Sequence, residues 1–247
     1  MPCPRSARSG HWLAMELGIV GLARSGKTSL FNAVTRGSAA VGAYTSATEP
    51  NIGSVRVPDT RVDALAAIFN PKKTTYAEIR WVDYPVAGFG PEGPGARFVA
   101  DLAQLDTLVH VVRAFEDPAV PHDDGSVDPP RDLEALDLEL QFADLALIER
   151  RIDRLGSEMR SVKAGERVEL ERQLDLMQRM QGHIEGGEGL RSLEVSEAEE
   201  LELRNYRFVT RLPELLIVNI GEDQLGEAEA IEAEFRERHG GARIAVA

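Results

Sequence analysis

The chain has 247 residues, with 28 Lys and Arg against 41 Asp and Glu and a formal net charge of −13, enough to bury a substantial core in one or two domains. A single cysteine excludes an intrachain disulfide framework and a multi-cysteine zinc site, and no run reaches the roughly 18 uninterrupted apolar residues of a spanning helix. The acidic balance weighs against tight nonspecific nucleic-acid binding, so the expectation is a soluble cytoplasmic protein with no membrane partner.

Residues 1–14 carry Arg5 and Arg8 but no apolar run behind them. They predict a disordered extension, read as an upstream start before Met15 rather than a signal peptide; Cys3 lies in it and is given no redox role. Glu16 to Val20 reads as a short buried strand. A glycine-containing loop follows, then a helix over Ser29 to Thr35. Ile52 to Val57 alternates like a strand. Asp59 is placed to cap a helix running to Phe69, with Val62, Leu65, Ala66 and Phe69 on one face. Tyr76 to Val82 is a strand that ends at Asp83. Pro85 to Gly95 is a glycine- and proline-rich loop, Ala96 to Leu105 a helix, and Thr107 to Val112 a buried strand. Strands alternating with helices predict an α/β fold, a mainly parallel sheet covered on both faces.

From Leu133 the pattern changes. Apolar residues fall at Leu136, Leu140, Ala143, Leu147 or Ile148, Ile152, Leu155, Met159 and Val162, mostly in steps of three and four. Ala164 and Gly165 break the run, Leu170 to Ile184 continue it in a second helix, and Gly186 and Gly187 end that helix. Met177 and Met180 read as packing residues. This predicts a charged antiparallel helical hairpin, more coiled coil than core. Ser196 with Glu199 is a capping box for a further short helix. After Pro213 the sheet pattern returns, with a strand over Leu215 to Val218, a helix over Gly226 to Arg238 and a last strand over Ala242 to Val246. The expected organisation is an extension (1–14), a first sheet segment (15–120), an inserted helical arm (121–205) and a second sheet segment (206–247).

Residues 21 to 28, Gly-Leu-Ala-Arg-Ser-Gly-Lys-Thr, fit the phosphate-loop pattern G-x-x-x-x-G-K-[ST] between a strand and a helix. Gly21 and Gly26 let the backbone curl so that successive N–H groups, through Ala23, Arg24, Ser25 and on to Ser29, point at phosphate oxygens. The helix presents its positive N-terminus to the same anion. Lys27 is placed for the β- and γ-phosphates and the Thr28 hydroxyl for Mg²⁺.

Around that loop, Gly18 to Thr35 (GIVGLARSGKTSLFNAVT) resembles the opening of the Obg-like ATPases, the YchF family of translation-factor-related P-loop NTPases. Four further segments agree in order. They are Thr48 to Gly53 with Val57 to Asp59 and Arg61 to Leu65, Val109 to Glu116, Val127 to Leu145, and Leu216 to Asp223. The resemblance implies that Asn219, Ile220, Gly221 and Glu222 stand where most relatives of these NTPases carry Asn-Lys-x-Asp for guanine. The Asn-x-x-Glu form is that of the ATP-preferring family; adenine lacks the 2-amino group, and an unpaired acceptor against guanine is costly. The resemblance also implies that Asp83 shares Mg²⁺ with Thr28. The resemblance implies that the family continues beyond this point into a small C-terminal TGS domain, so the 247 residues are expected to be a fragment or a shortened relative.

Three positions depart from the family pattern. The glycine that follows Asp83 by three residues is Val86, with Gly88 nearby. The switch threonine three residues before Pro50 is Ala47, flanked by Ser46 and Thr48. The loop asparagine that in several relatives helps hold a potassium ion is Arg24. The first two touch sensors of the γ-phosphate and leave the diphosphate cradle intact. The third suggests that the Arg24 guanidinium supplies the missing cation on the phosphates, so Arg24 joins Lys27 as a catalytic candidate. No side chain near Ala87 offers a general base.

Outside these motifs, His110 reads as a core histidine. His122, Asp123 and Asp124 read as a solvated loop rather than a metal cluster. The leading expectation is an ATP-binding, slow Mg²⁺-dependent ATPase of regulatory switch type, with a protein or ribonucleoprotein partner for the arm. The alternatives are a nonhydrolytic nucleotide-binding scaffold whose arm docks a partner, and a GTPase.

Overall fold

The computed structural model describes residues 15–37, 49–84, 89–90, 93–239 and 243–247. The expected extension, Cys3, and positions 46–48 and 86–88 lie outside the described residues.

In chain order the elements are β1 (Met15–Val20), α1 (Lys27–Thr35), β2 (Asn51–Arg56), α2 (Thr60–Phe69), β3 (Glu78–Asp83), β4 (Phe89–Gly90), β5 (Gly93–Pro94), α3 (Ala96–Leu102) and β6 (Thr107–Arg113). They continue with α4 (Pro129–Glu158), α5 (Ala164–Glu185), α6 (Glu197–Leu203), β7 (Glu214–Asn219), α7 (Ala228–Arg238) and β8 (Arg243–Val246). The main sheet has the order β2-β3-β1-β6-β7-β8. Only its edge strand β2 is antiparallel, to β3; the other pairings are parallel. The predicted α/β sheet is therefore present. β4 and β5 form a two-residue antiparallel ladder inside the stretch expected to be loop.

Side-chain alternation explains why the central strands read as unbroken apolar runs: both faces are covered. Leu17, Ile19, Trp81, Val109, Val111 and Ile217 pack with Phe31 of α1 on one face. Val20, Val82 and Leu108 pack on the other with Leu102 of α3 and with Leu136 and Leu140 of α4. Further along that face Val112, Leu216 and Val218 meet Leu133 of α4 and Phe235 of α7. The expected apolar face of α2 is not a core face. The helix has no buried residue, and Leu65, Ile68 and Phe69 are exposed, because nothing among the described residues covers them. Its cap is as read: the Asp59 carboxylate accepts from the Arg61 backbone N–H at 2.9 Å.

The arm is a helical hairpin, and it differs in two ways from the expected one that is more coiled coil than core. Its turn is 159–163, and α5 begins at Ala164. Alanine is the best helix former, and Gly165 is tolerated in the first turn, where few helical bonds depend on it. The hairpin also has a closed core. Ile148 and Leu155 of α4 and Leu176, Met177, Met180 and Ile184 of α5 are buried together with Leu190, Leu203 and Phe208 from the returning chain. The Ser196–Glu199 capping box on α6 is present.

α4 is 30 residues long, about 45 Å at 1.5 Å per residue. Asp128 caps it by accepting from the Arg131 backbone N–H, and Pro129 and Pro130 open its first turn. Its first half packs on the sheet and its second half on α5. Between the two halves lies Asp144, with no solvent exposure. Its carboxylate accepts from the backbone N–H groups of Val209 (2.9 Å) and Thr210 (2.8 Å) and from the Thr210 hydroxyl (2.7 Å). Thr210 Oγ1 in turn accepts from the Leu190 N–H at 3.0 Å.

Burial pushes the Asp144 carboxyl up to about 6 against the opposing hydrogen bonds from Thr210 and Val209. A carboxyl raised in the folded state contributes stability that is present below its unfolded value, near 4, and is lost as pH rises through about 6. Asp144→Asn removes that titration and sets an amide N–H₂ against an N–H donor. The variant is expected to be less stable by about 3 kcal/mol at pH 4. The gap should narrow between pH 4 and 6 and stay constant above, in urea unfolding followed by circular dichroism.

Candidate nucleotide-binding site

The site lies at the carboxyl end of β1, between β3 and β6, where the strand order reverses. Open α/β sheets place their ligands at such a point. The loop after β1 turns into α1 through Gly26, which has φ +93° and no side-chain cap, so the first N–H groups of α1 are free of side-chain competition. Both loop glycines are required sterically. A Cβ on Gly21 would lie 2.3 Å from the Val111 carbonyl oxygen, and one on Gly26 would lie 2.1 Å from Asn219 Nδ2. Arg24 adopts φ +59°, an uncommon left-handed conformation for a residue with a Cβ.

Lys27 is the first residue of α1 and is 6 % exposed. Its ammonium donates to the carbonyl oxygens of Gly21 (2.9 Å) and Leu22 (2.7 Å), so the charge sits inside the curl of the loop. Burial depresses its pKa to about 8, with nearby Asp83 acting in the opposite sense. An anion entering the loop would restore the pairing that burial has removed.

Thr28 Oγ1 donates to Asp83 Oδ2 at 2.8 Å, which joins the helix start to the end of β3. Asn51 Nδ2, at the start of β2, donates to the same oxygen at 3.0 Å. Asp83 Oδ1 is buried without a hydrogen-bond partner. A hydroxyl beside an anionic oxygen that lacks a donor suits a small hard cation, so the residues present fit Mg²⁺.

On the opposite side Asn219, at the end of β7, donates from Nδ2 to the Ser25 carbonyl oxygen at 2.9 Å. This bond fixes the loop after β7 against the loop after β1. Ser25 itself is buried, and its hydroxyl has no partner. The Ile220 side chain belongs to the core with Val218 and Phe235, which leaves only its main chain to meet a base. Glu222 is exposed at the start of a 3-10 turn (Glu222–Glu227) that separates β7 from α7. Ala23 is half-buried and Ser29 exposed.

Arg24 turns away from the loop interior. Its guanidinium donates to the Pro121 carbonyl oxygen (2.8 Å) and to Asp123 Oδ1 (2.6 Å). The neighbouring His122 is not solvated as expected. Its side chain is 7 % exposed, and its Nε2 pairs with buried Asp132 Oδ2 of α4 at 2.8 Å. Arg113, buried at the end of β6, holds the same loop through Nε to the Phe115 carbonyl (3.0 Å) and Nη2 to the Val120 carbonyl (2.8 Å). Asn51, Arg113 and the His122–Asp132 pair are the functional neighbours that motif reading misses. The only signal in the chain is that Asn51 follows Pro50 inside the segment resembling a switch.

No family model matches the chain. It is 34 % identical over 233 residues to the "Ribosome-binding ATPase YchF" of Bacillus subtilis, covering 91 % of this chain and 62 % of that protein. This chain belongs to the YchF family of Obg-like ATPases. "Obg-like ATPase 1" of Oryza sativa subsp. indica is 34 % identical over 212 residues, covering 84 % of this chain and 53 % of that protein. The structure of the Schizosaccharomyces pombe YchF GTPase superposes with a TM-score of 0.75 at 24 % identity, over 98 % of this chain and 67 % of that one. The chain thus spans about three fifths or less of the length of these two curated relatives.

Two substitutions probe the assembled site. Gly26→Ala drives a methyl group into Asn219 and is expected to cost at least about 3 kcal/mol of nucleotide affinity, roughly a hundredfold, by calorimetric titration. Asn51→Ala removes one donor to Asp83 and is expected to weaken the Mg²⁺ dependence of nucleotide binding about tenfold, with unchanged thermal stability.

Proposed function

We propose that this YchF-family chain binds ATP with Mg²⁺ and hydrolyses it slowly, as a regulatory switch whose state reaches a partner through the helical arm. One observation carries the reading: Lys27, the Thr28–Asp83 pair and Asn219 converge on one loop from α1, β3 and β7. That convergence puts a cation, a hard-cation site and a base-side loop around a single cradle for a nucleoside triphosphate.

In this reading the N–H groups of residues 23 to 29 and the start of α1 hold the diphosphate, and Lys27 exchanges its two carbonyl partners for phosphate oxygens. Thr28 and Asp83 hold Mg²⁺, which when bound neutralises charge on the phosphates. Asn219 braces the cradle, while Glu222 and the main chain of Ile220 stand on the base side. The Asn-x-x-Glu loop and the ATPase names of the curated relatives support adenine over guanine. The GTPase name of the fission-yeast neighbour makes GTP the competing ligand.

Arg24 has a conditional part. Its pairing with Asp123 is solvent-accessible, with side chains 25 % and 59 % exposed, and such pairs contribute about 0–1 kcal/mol. A triphosphate outcompetes one carboxylate for the guanidinium, so Arg24 is proposed to move from Asp123 to the phosphates and to act there in place of a monovalent cation. Turnover is then expected to be indifferent to K⁺, and Arg24→Asn to lower it about tenfold and make it respond to K⁺. An unchanged rate in Arg24→Asn together with K⁺-dependent wild-type turnover would refute that role.

The names of the relatives include ribosome binding, and a cytoplasmic ribonucleoprotein partner for the arm is the matching proposal; the acidic charge of the chain fits a protein surface at least as well as RNA. The deciding experiment titrates ATP and GTP with Mg²⁺ and follows phosphate release. Expected are ATP binding at least tenfold tighter than GTP, and release that Lys27→Ala abolishes. Binding without release would support the nonhydrolytic scaffold instead, and tighter GTP binding would make the chain a GTPase. Absence of binding to either nucleotide would overturn the proposal.

A further inference from the structure

We propose that His110, Asp137 and Glu214 form a second cation site, for a divalent transition metal such as Zn²⁺, at the root of the arm. It is separate from the phosphate loop and does not depend on nucleotide binding. His110 lies on β6 between Leu108 and Val112, Glu214 opens β7, and Asp137 sits on the stretch of α4 that covers this sheet face. In the ladder His110 pairs with Leu216 and Leu108 with Glu214, so the histidine and the glutamate are diagonal neighbours on one face.

His110 Nδ1 and Glu214 Oε1 are both buried and both lack a hydrogen-bond partner. The two side chains are 1 % and 6 % exposed. Among the described residues the one polar contact of these two atoms is a long one with each other, which a ligand shared between them would complete. They are 3.5 Å apart. Ligands of a tetrahedral Zn²⁺ at about 2.1 Å stand about 3.4 Å from one another, so this edge already has the ligand–ligand separation of a metal centre. One carboxylate oxygen of half-buried Asp137 lies within 4.8 Å of a ring nitrogen of His110 and of a carboxylate oxygen of Glu214. Its partial exposure gives the ion a way in and leaves a fourth position for water.

The surroundings favour the ion. The other oxygen of Glu214, Oε2, is held by Arg191, which fixes the carboxylate and leaves Oε1 to point at His110, as partners of metal ligands do. The two carboxylates outnumber the one guanidinium beside them, so the cluster favours a cation, with His239, at the C-terminal end of α7, within electrostatic range of Asp137. One imidazole nitrogen and two carboxylate oxygens form a mixed N/O set, and at such sites Zn²⁺ outranks Mn²⁺ and Fe²⁺. A bound ion would cross-link β6, β7 and α4.

The test is a Co²⁺ and Zn²⁺ titration of the nucleotide-free chain with Mg²⁺ in excess, which loads the Thr28–Asp83 pair. Expected is one Co²⁺ per chain with the intense visible bands of a four-coordinate centre, displaced by one equivalent of Zn²⁺, and a raised melting temperature with Zn²⁺. His110→Gln and Asp137→Ala should each weaken binding at least tenfold, and Arg191→Ala about tenfold. Asp137 is half-buried, so its variant keeps the test valid if His110→Gln does not fold. Asp83→Asn should leave the bands unchanged. The proposal is overturned if no stoichiometric Co²⁺ binds, if binding survives in both ligand variants, or if only Asp83→Asn removes it.

Discussion

A buried carboxylate in the middle of one helix holds two cores together. α4 is continuous, yet its first half belongs to the sheet and its second to the arm. Asp144 sits where the two cores meet and takes three hydrogen bonds from Val209 and Thr210, the turn that carries the chain back toward β7. Burying a carboxylate is costly unless its lone pairs are satisfied. Those three bonds supply the compensation, and Leu190 completes the set through Thr210. The outgoing and returning ends of the arm are thereby fastened to each other beside the sheet, and the arm extends as a stiff lever rather than a tethered module.

The same helix begins next to the phosphate loop. Arg24 of that loop grips Pro121 and Asp123, and His122 between them grips Asp132 in the first turn of α4. Three neighbouring residues thus connect the cradle to the root of a helix about 45 Å long. Arg113 holds the same connecting loop from the sheet side.

Features that depend on neighbours in the chain are legible in its residue order. The phosphate loop, the Asp59 and Ser196 caps, and the apolar seam with Met177 and Met180 each follow from residues within a few turns of one another. The features that escape such reading share the opposite property. The periodicity of Leu65 and Phe69 is helical, but whether that face is covered depends on what the rest of the chain packs against it, and no residue of α2 is buried. His122 reads as solvated among aspartates, but α4 brings Asp132 against it. Asn51 has no motif of its own, because its role comes from the antiparallel register that sets it opposite Asp83. The turn of the arm falls at 159–163 rather than at Ala164 because helix propensity prevails over the glycine beside it.

The placement of the arm also bears on how the chain finds its fold. β6 ends at Arg113, and its parallel partner β7 begins at Glu214. Closing a flexible loop of that length costs entropy that grows with chain separation, and sheets built on distant pairings form slowly. A helical hairpin is made of local contacts and forms on a much shorter timescale. Once it has formed, with Asp144 fastening its two ends, the effective separation between the strands shrinks toward the segments on either side of it, 114–128 and 186–213. The inserted arm then serves as a folding splint, delivering β7 to β6 before the last parallel ladder closes.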